Sequence, residues 1–149
     1  RFKLMDERVE ALRNIWTQNQ PEFHGDSVDF GPMMTWPKPI QKPYPPIIVG
    51  GGFPYGARRA ISYGDGWMPI GDRVDVIELL PRFRQMAVEA GREPDDIPVT
   101  SFGLQPESDL VAKTADAGID RVVFGLPSEK AEIILPMLDT FSDMVNRYS

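Results

Sequence analysis

The sequence predicts an α/β fold, with a parallel sheet and helices packed outside it. Three observations predict it. From residue 47 onward, short apolar runs alternate with helical segments four times. Such alternation calls for parallel strands joined by crossover helices. The first apolar run, Ile47-Ile48-Val49, passes directly into Gly50-Gly51-Gly52 and then into a helical segment. Consecutive glycines at a strand-to-helix junction mark a tight turn or a close approach to the backbone. Finally, two helical segments stop at a glycine, Gly91 and Gly118, the residue that most readily takes the left-handed conformation ending a helix.

The elements follow in order. Residues 1–16, RFKLMDERVEALRNIW, place Leu4, Met5, Val9, Leu12, Ile15 and Trp16 at the spacing of an amphipathic helix. Asn19-Gln20-Pro21 is expected to end it. A Pro-rich stretch at about 21–46 opens on FHG and closes on WPKPIQKPYPP. Its prolines exclude a long helix and favour extended or turn structure. Its length points to an insertion packed on the surface or near a site. Residues 47–49 then form a buried strand, and 54–63 a helix with proline in its first turn. Residues 66–70 form a short strand weakened by Pro69. Residues 74–90 form a helix in which Pro81 is expected to cause a kink or a break. A third strand spans 98–103, a helix 108–117, a fourth strand 121–126 and a last helix 128–148.

Composition narrows the function. The 149 residues suffice for about one domain. The formal net charge is −6, from 16 basic and 22 acidic residues. That balance argues against nucleic acid as a partner, which demands a basic footprint. Cysteine is absent and His24 is the single histidine, so thiolate and multi-histidine metal sites are excluded. No apolar run approaches the roughly 18 residues of a membrane span, and early acidic residues rule out a signal peptide. A cytoplasmic protein without a membrane partner is expected. Without an initiator methionine, the chain is expected to begin inside a larger protein.

The chemistry-bearing candidates are few. Backbone amides of Gly50, Gly51 and Gly52, at the start of a helix, could hold a phosphate; the alternative is a tight turn that binds nothing. The spacing is not GxGxxG, and no acidic residue follows at the distance a dinucleotide site needs. Trp67, after Asp65 and Gly66, either packs in the core or walls the pocket of a flat cofactor. Arg58 and Arg59 are either solvated or within reach of an anion. Ser101 ends a strand and could face a ligand. His24 is a candidate general base by residue type, although no acid–base partner is evident beside it, and a plain loop histidine is the alternative.

The segments ALRNIWTQ, FHG, WPKPIQKPYPPIIVGGG and ARRAISYGDGWMPI together resemble the C-terminal half of the luciferase-like monooxygenase superfamily. Within it the likeness is to oxidoreductases that use the deazaflavin coenzyme F-420. The run from Pro37 to Pro69 is the most specific part. The resemblance implies a (β/α)8 TIM barrel about twice this length, with FMN or coenzyme F-420 at the C-terminal mouth. It implies hydride transfer, or oxygen activation with a true flavin, on a small-molecule substrate. It assigns the cofactor phosphate to Gly50, Gly51 and Gly52, and places Asp65, Gly66 and Trp67 near the next strand end. The chain carries only four of the eight units, a half-barrel whose open edges call for completion, so a homodimer is expected. Two rivals stand beside the oxidoreductase: a non-catalytic half-barrel that binds a cofactor or only dimerises, and a phosphate-binding barrel enzyme of another class, such as an isomerase.

Overall fold

The structure is a computed structural model that describes residues 2–69 and 75–148. It divides into two compact units, Arg1–Ile47 and Ile48–Ser149.

The first unit holds helix α1 (Phe2–Thr17) and a small antiparallel hairpin, β1 (Phe23–His24) with β2 (Asp29–Phe30). The hairpin lies in the stretch expected to be extended or turn. Its register sets Phe23 opposite Phe30 and His24 opposite Asp29. The Phe23 and Phe30 rings stack at 6.4 Å. The Glu7 carboxylate of α1 accepts the backbone amides of Ser27 and Val28, at 2.8 and 3.1 Å, which fixes the hairpin turn. Farther along, Lys38 Nζ and Thr35 Oγ1 both donate to the Ile15 carbonyl, at 2.6 and 3.2 Å, and Tyr44 stacks on Trp16. The Pro-rich strap is thereby tied to the C-terminal end of α1.

The second unit contains the four strand–helix pairs that the sequence rhythm predicts. They are β3 (Ile48–Gly50) with α2 (Tyr55–Tyr63), β4 (Gly66–Met68) with α3 (Val76–Glu89), β5 (Thr100–Phe102) with α4 (Ser108–Asp116), and β6 (Arg121–Val123) with α5 (Ala131–Tyr148). β3 pairs parallel to β4, and β5 parallel to β6. A parallel bridge, Trp67 to Val99, links the two pairs, and the Trp67 amide donates to the Pro98 carbonyl at 3.0 Å. Each strand therefore lies beside its neighbour in sequence. The strands are shorter than expected: φ is +81° at Gly103 just after β5, and β6 gives way to the Gly125–Pro127 segment. Ile70 and Val74, expected to close a strand and open a helix, lie outside the described residues.

Of the two outcomes expected at Pro81, a kink or a break, the break does not occur, because α3 runs continuously through it. Proline removes one rung of the helix ladder, but the rest of the helix is held on two sides. Asp75 Oδ1 accepts the Ile77 and Glu78 amides at 3.0 and 3.2 Å, a side-chain cap. Val76, Leu80, Phe83 and Ala87 bury one face. α5 likewise passes through Pro136.

The core of this unit is built around Trp67 and Phe83, both fully buried, with ring centroids 4.7 Å apart. Ala57, Ala60 and Ala87 are also fully enclosed, and their small side chains let α2 and α3 approach the strands. Among the described residues, no helix is long and apolar enough to cross a membrane.

Candidate functional site

The site grows from the end of β3. The strand terminates at Gly50, and Gly51 takes φ +119°, a conformation that side chains rarely adopt. Residues 51–54 reverse the chain into α2. Gly56, in the first turn of that helix, packs directly on the Gly51 peptide: a Cβ there would lie 2.1 Å from the Gly51 oxygen. The Gly56 amide donates to the Gly52 carbonyl at 2.7 Å. The Gly51 carbonyl accepts the indole N–H of Trp67 at 3.0 Å. Arg59 Nη2 donates to the Gly50 carbonyl at 3.2 Å and lies beside the Gly51 α-carbon. The turn's carbonyls are thus drawn inward by Gly56, Trp67 and Arg59.

Its amides are in a different position. Gly51 continues the β3–β4 ladder beyond the Gly50–Met68 pair, whereas, among the described residues, the amides of Gly52, Phe53 and Tyr55 have no carbonyl partner. Gly52 is exposed, and a Cβ on it would meet nothing within 4 Å. A cluster of unmatched amides at a helix start, with an adjacent guanidinium, suits a phosphate oxygen. The residues therefore fit a cofactor phosphate. Arg59, weighed in the sequence between solvated and anion-reaching, sits at the turn.

The structure does not bring all the expected site residues together. Ile48 faces Gly66 and Gly50 faces Met68. Asp65 and Gly66 consequently mark the N-terminal end of the sheet, and the glycine turn follows the C-terminal end. At about 3.3 Å per residue, roughly 7 Å of strand separates the two levels. Asp65 and Gly66, expected near the next strand end, thus stand at the start of β4, on the other level from the turn. Gly66 has a packing role, since a Cβ there would come within 3.0 Å of the Pro98 carbonyl. Trp67 takes the core position of its two alternatives. It is 0% exposed, stacks on Phe83, and reaches the turn only through its N–H. Ser101 is buried within β5, at 2% exposure.

His24 lies in the first unit, exposed on the hairpin. Its Nδ1 is 2.7 Å from Asp29 Oδ1, and its Nε2 is 4.0 Å from Glu22 Oε2. The partner not evident in the sequence is supplied by cross-strand pairing with Asp29. Among the described residues, no group of three histidine or carboxylate side chains could hold a metal ion. The residue that sequence reasoning missed is Gly56. Its signal was present: an isolated glycine inside the helical pattern PYGARRA usually has a packing reason.

Residues 1–121 match the family model of luciferase-like monooxygenases, and the chain belongs to that family. It is similar to an uncharacterized protein of Mycobacterium tuberculosis strain H37Rv, 34% identical over 138 residues, which cover 89% of this chain and 46% of that protein. The chain spans about half the length of the curated relatives it matches, at 46%. An FMNH(2)-dependent dimethylsulfone monooxygenase of Pseudomonas putida is 35% identical over 78 residues, 52% of this chain and 22% of that enzyme. Among solved structures, the coenzyme F-420-dependent tetrahydromethanopterin reductase from Methanopyrus kandleri superposes with a TM-score of 0.55. It is 23% identical, over 70% of this chain and 31% of that one, a likeness of fold.

Proposed function

We propose that this chain anchors the cofactor phosphate of a flavin- or deazaflavin-dependent oxidoreductase, with FMN or coenzyme F-420 as the cofactor. One observation carries the proposal: the amides of Gly52, Phe53 and Tyr55, without a carbonyl partner among the described residues, at the start of α2 beside the Arg59 guanidinium. Family membership supports it. So do the cofactor dependences of two similar proteins, one on FMNH(2) and one on coenzyme F-420. When bound, the cofactor supplies hydride exchange with a small organic substrate. The chain's own part is binding and orientation. Gly52 and Phe53 donate amides to the phosphate, Gly51 supplies the turn's conformation and close approach, Arg59 adds charge, and Trp67 and Gly56 hold the turn in shape.

The sequential parallel strands fit one half of a (β/α)8 barrel. In that arrangement the free edges of β3 and β6 are covered by a second copy of the chain, because open parallel edges leave backbone groups unpaired. His24, oriented by Asp29, is the proposed proton-transferring group of the first unit.

The proposal is tested by titrating the purified chain with FMN and with coenzyme F-420, wild type beside Gly52→Asp. Gly52 is the position of choice, because the added side chain meets open space and brings negative charge to the amides. Saturable binding of one cofactor, weakened about tenfold or more in the variant, is expected. Binding that the variant leaves intact, or no binding of either cofactor, contradicts the proposal.

A further inference from the structure

Helices α2 and α3 flank an open groove that starts at Pro54, the last residue of the turn. This groove of about 890 Å3 separates their outer faces, lined by Pro54, Arg58, Arg82, Met86, Glu89 and Arg92 among others. Three guanidinium groups face one carboxylate there, in a chain whose overall charge is −6. Adjacent helices normally fill this space with interlocking side chains. Here the facing positions are long and cationic.

Two of the three cations are held in place. Arg92 Nη1 donates to the carbonyls of Ala60, Ile61 and Gly64, at 3.3, 3.0 and 2.9 Å. The Arg82 guanidinium lies 5.2 Å from the centroid of the Phe53 ring, a cation–π contact. The one acid, Glu89, is occupied by Gln85 Nε2 at 2.8 Å. Among the described residues, Arg58 and Arg82 have no carboxylate partner. Cations fixed in advance lose little freedom when they bind an anion, and guanidinium forks match phosphate and carboxylate oxygens in pairs.

We infer that the α2–α3 groove is a binding site for a small polyanion, a molecule with two or more phosphate or carboxylate groups. Its lining begins at Pro54, where the turn ends, and does not include Gly50, Gly51 or Gly52. Arg58 and Arg82 grip the anion from opposite helices, and Arg92 closes the lower end.

The test titrates the full chain with inorganic pyrophosphate and, in a second arm, with citrate, by calorimetry at low salt. The two arms distinguish phosphate from carboxylate ligands. Wild type is compared with Arg58→Gln/Arg82→Gln, both positions exposed, and with Gly52→Asp. Saturable binding of at least one probe is expected, weakened about tenfold or more in the arginine pair variant and unchanged in Gly52→Asp. No saturable binding of either probe overturns the inference. So does binding that survives loss of both arginines, and so does binding lost only in Gly52→Asp, which would place the anion on the turn.

Discussion

Replacing Gly56 by alanine separates what helix propensity predicts from what this structure predicts. Propensity alone favours the change, since alanine is about 0.8–1.0 kcal/mol better than glycine inside a helix. The packing predicts the opposite sign. The new Cβ would lie 2.1 Å from the Gly51 oxygen and 2.4 Å from the Gly51 carbonyl carbon, against 3.4 Å or more for ordinary contact. Both atoms are backbone, so neither can swing aside. α2 must lift off the turn. The lift breaks the 2.7 Å bond from the Gly56 amide to the Gly52 carbonyl and strains the 3.0 Å bond from Trp67 to the Gly51 carbonyl. Overpacking costs about 1–3 kcal/mol, and a buried hydrogen bond left unmade costs a similar amount. Set against the propensity gain, the net loss is roughly 1–5 kcal/mol. Urea unfolding followed by far-UV circular dichroism reads this as a midpoint lowered by about 0.5–2.5 M, for a slope near 2 kcal/mol/M. Gly52→Ala, four residues earlier in open space, is the control and should stay within about 0.5 kcal/mol of wild type. A Gly56→Ala protein as stable as wild type would refute the packing of α2 on the Gly51 peptide.

Three further predictions concern the supports of the same turn and of the helices beside it. Trp67→Phe keeps the stack on Phe83 but strands the Gly51 carbonyl, so a loss of about 1–3 kcal/mol is expected in the same unfolding assay; no loss would mean the indole N–H bond is immaterial. Arg92→Met retains the stem and removes the donor to three carbonyls at the end of α2. It should destabilise by about 1.5–3 kcal/mol, and faster hydrogen exchange at residues 60–64 would localise the effect. Asp75→Ala removes the cap of α3 and should cost about 1 kcal/mol, whereas Asp75→Asn should largely restore it.

Much of this was legible in the sequence, and the reasons differ from one element to the next. The four strand–helix pairs announced themselves through apolar runs and helical periodicity, which are local properties. The glycine turn was legible because three glycines at a strand end have few other uses. Pro81 left a break open because its penalty is local, while the Asp75 cap and the buried face that keep α3 in one piece emerge only when the helix is packed. The hairpin at Phe23–Phe30 was not legible either. Its strands are two residues long, and its turn is fixed by Glu7, some twenty residues earlier in the chain. The family resemblance put Asp65 and Gly66 near the next strand end, and the β3–β4 register shows that they stand at its start, on the other level from the turn. Trp67 kept two alternatives in the sequence because an aromatic at a strand reads the same in a core and in a pocket wall; its burial against Phe83 selects the first.

The most direct test of the central claim compares each cofactor with its phosphate-free counterpart: FMN with riboflavin, and coenzyme F-420 with the deazaflavin lacking its phosphate-bearing chain. If the amides of Gly52 and Phe53 hold the phosphate, the wild-type chain binds one phosphorylated cofactor about thirtyfold or more tightly than its counterpart, the worth of charge-assisted hydrogen bonds of about 2 kcal/mol. Gly52→Asp erases that difference and leaves the counterpart's affinity unchanged. Equal affinity for the phosphorylated and phosphate-free forms in wild type, or a variant that weakens both alike, would contradict the account.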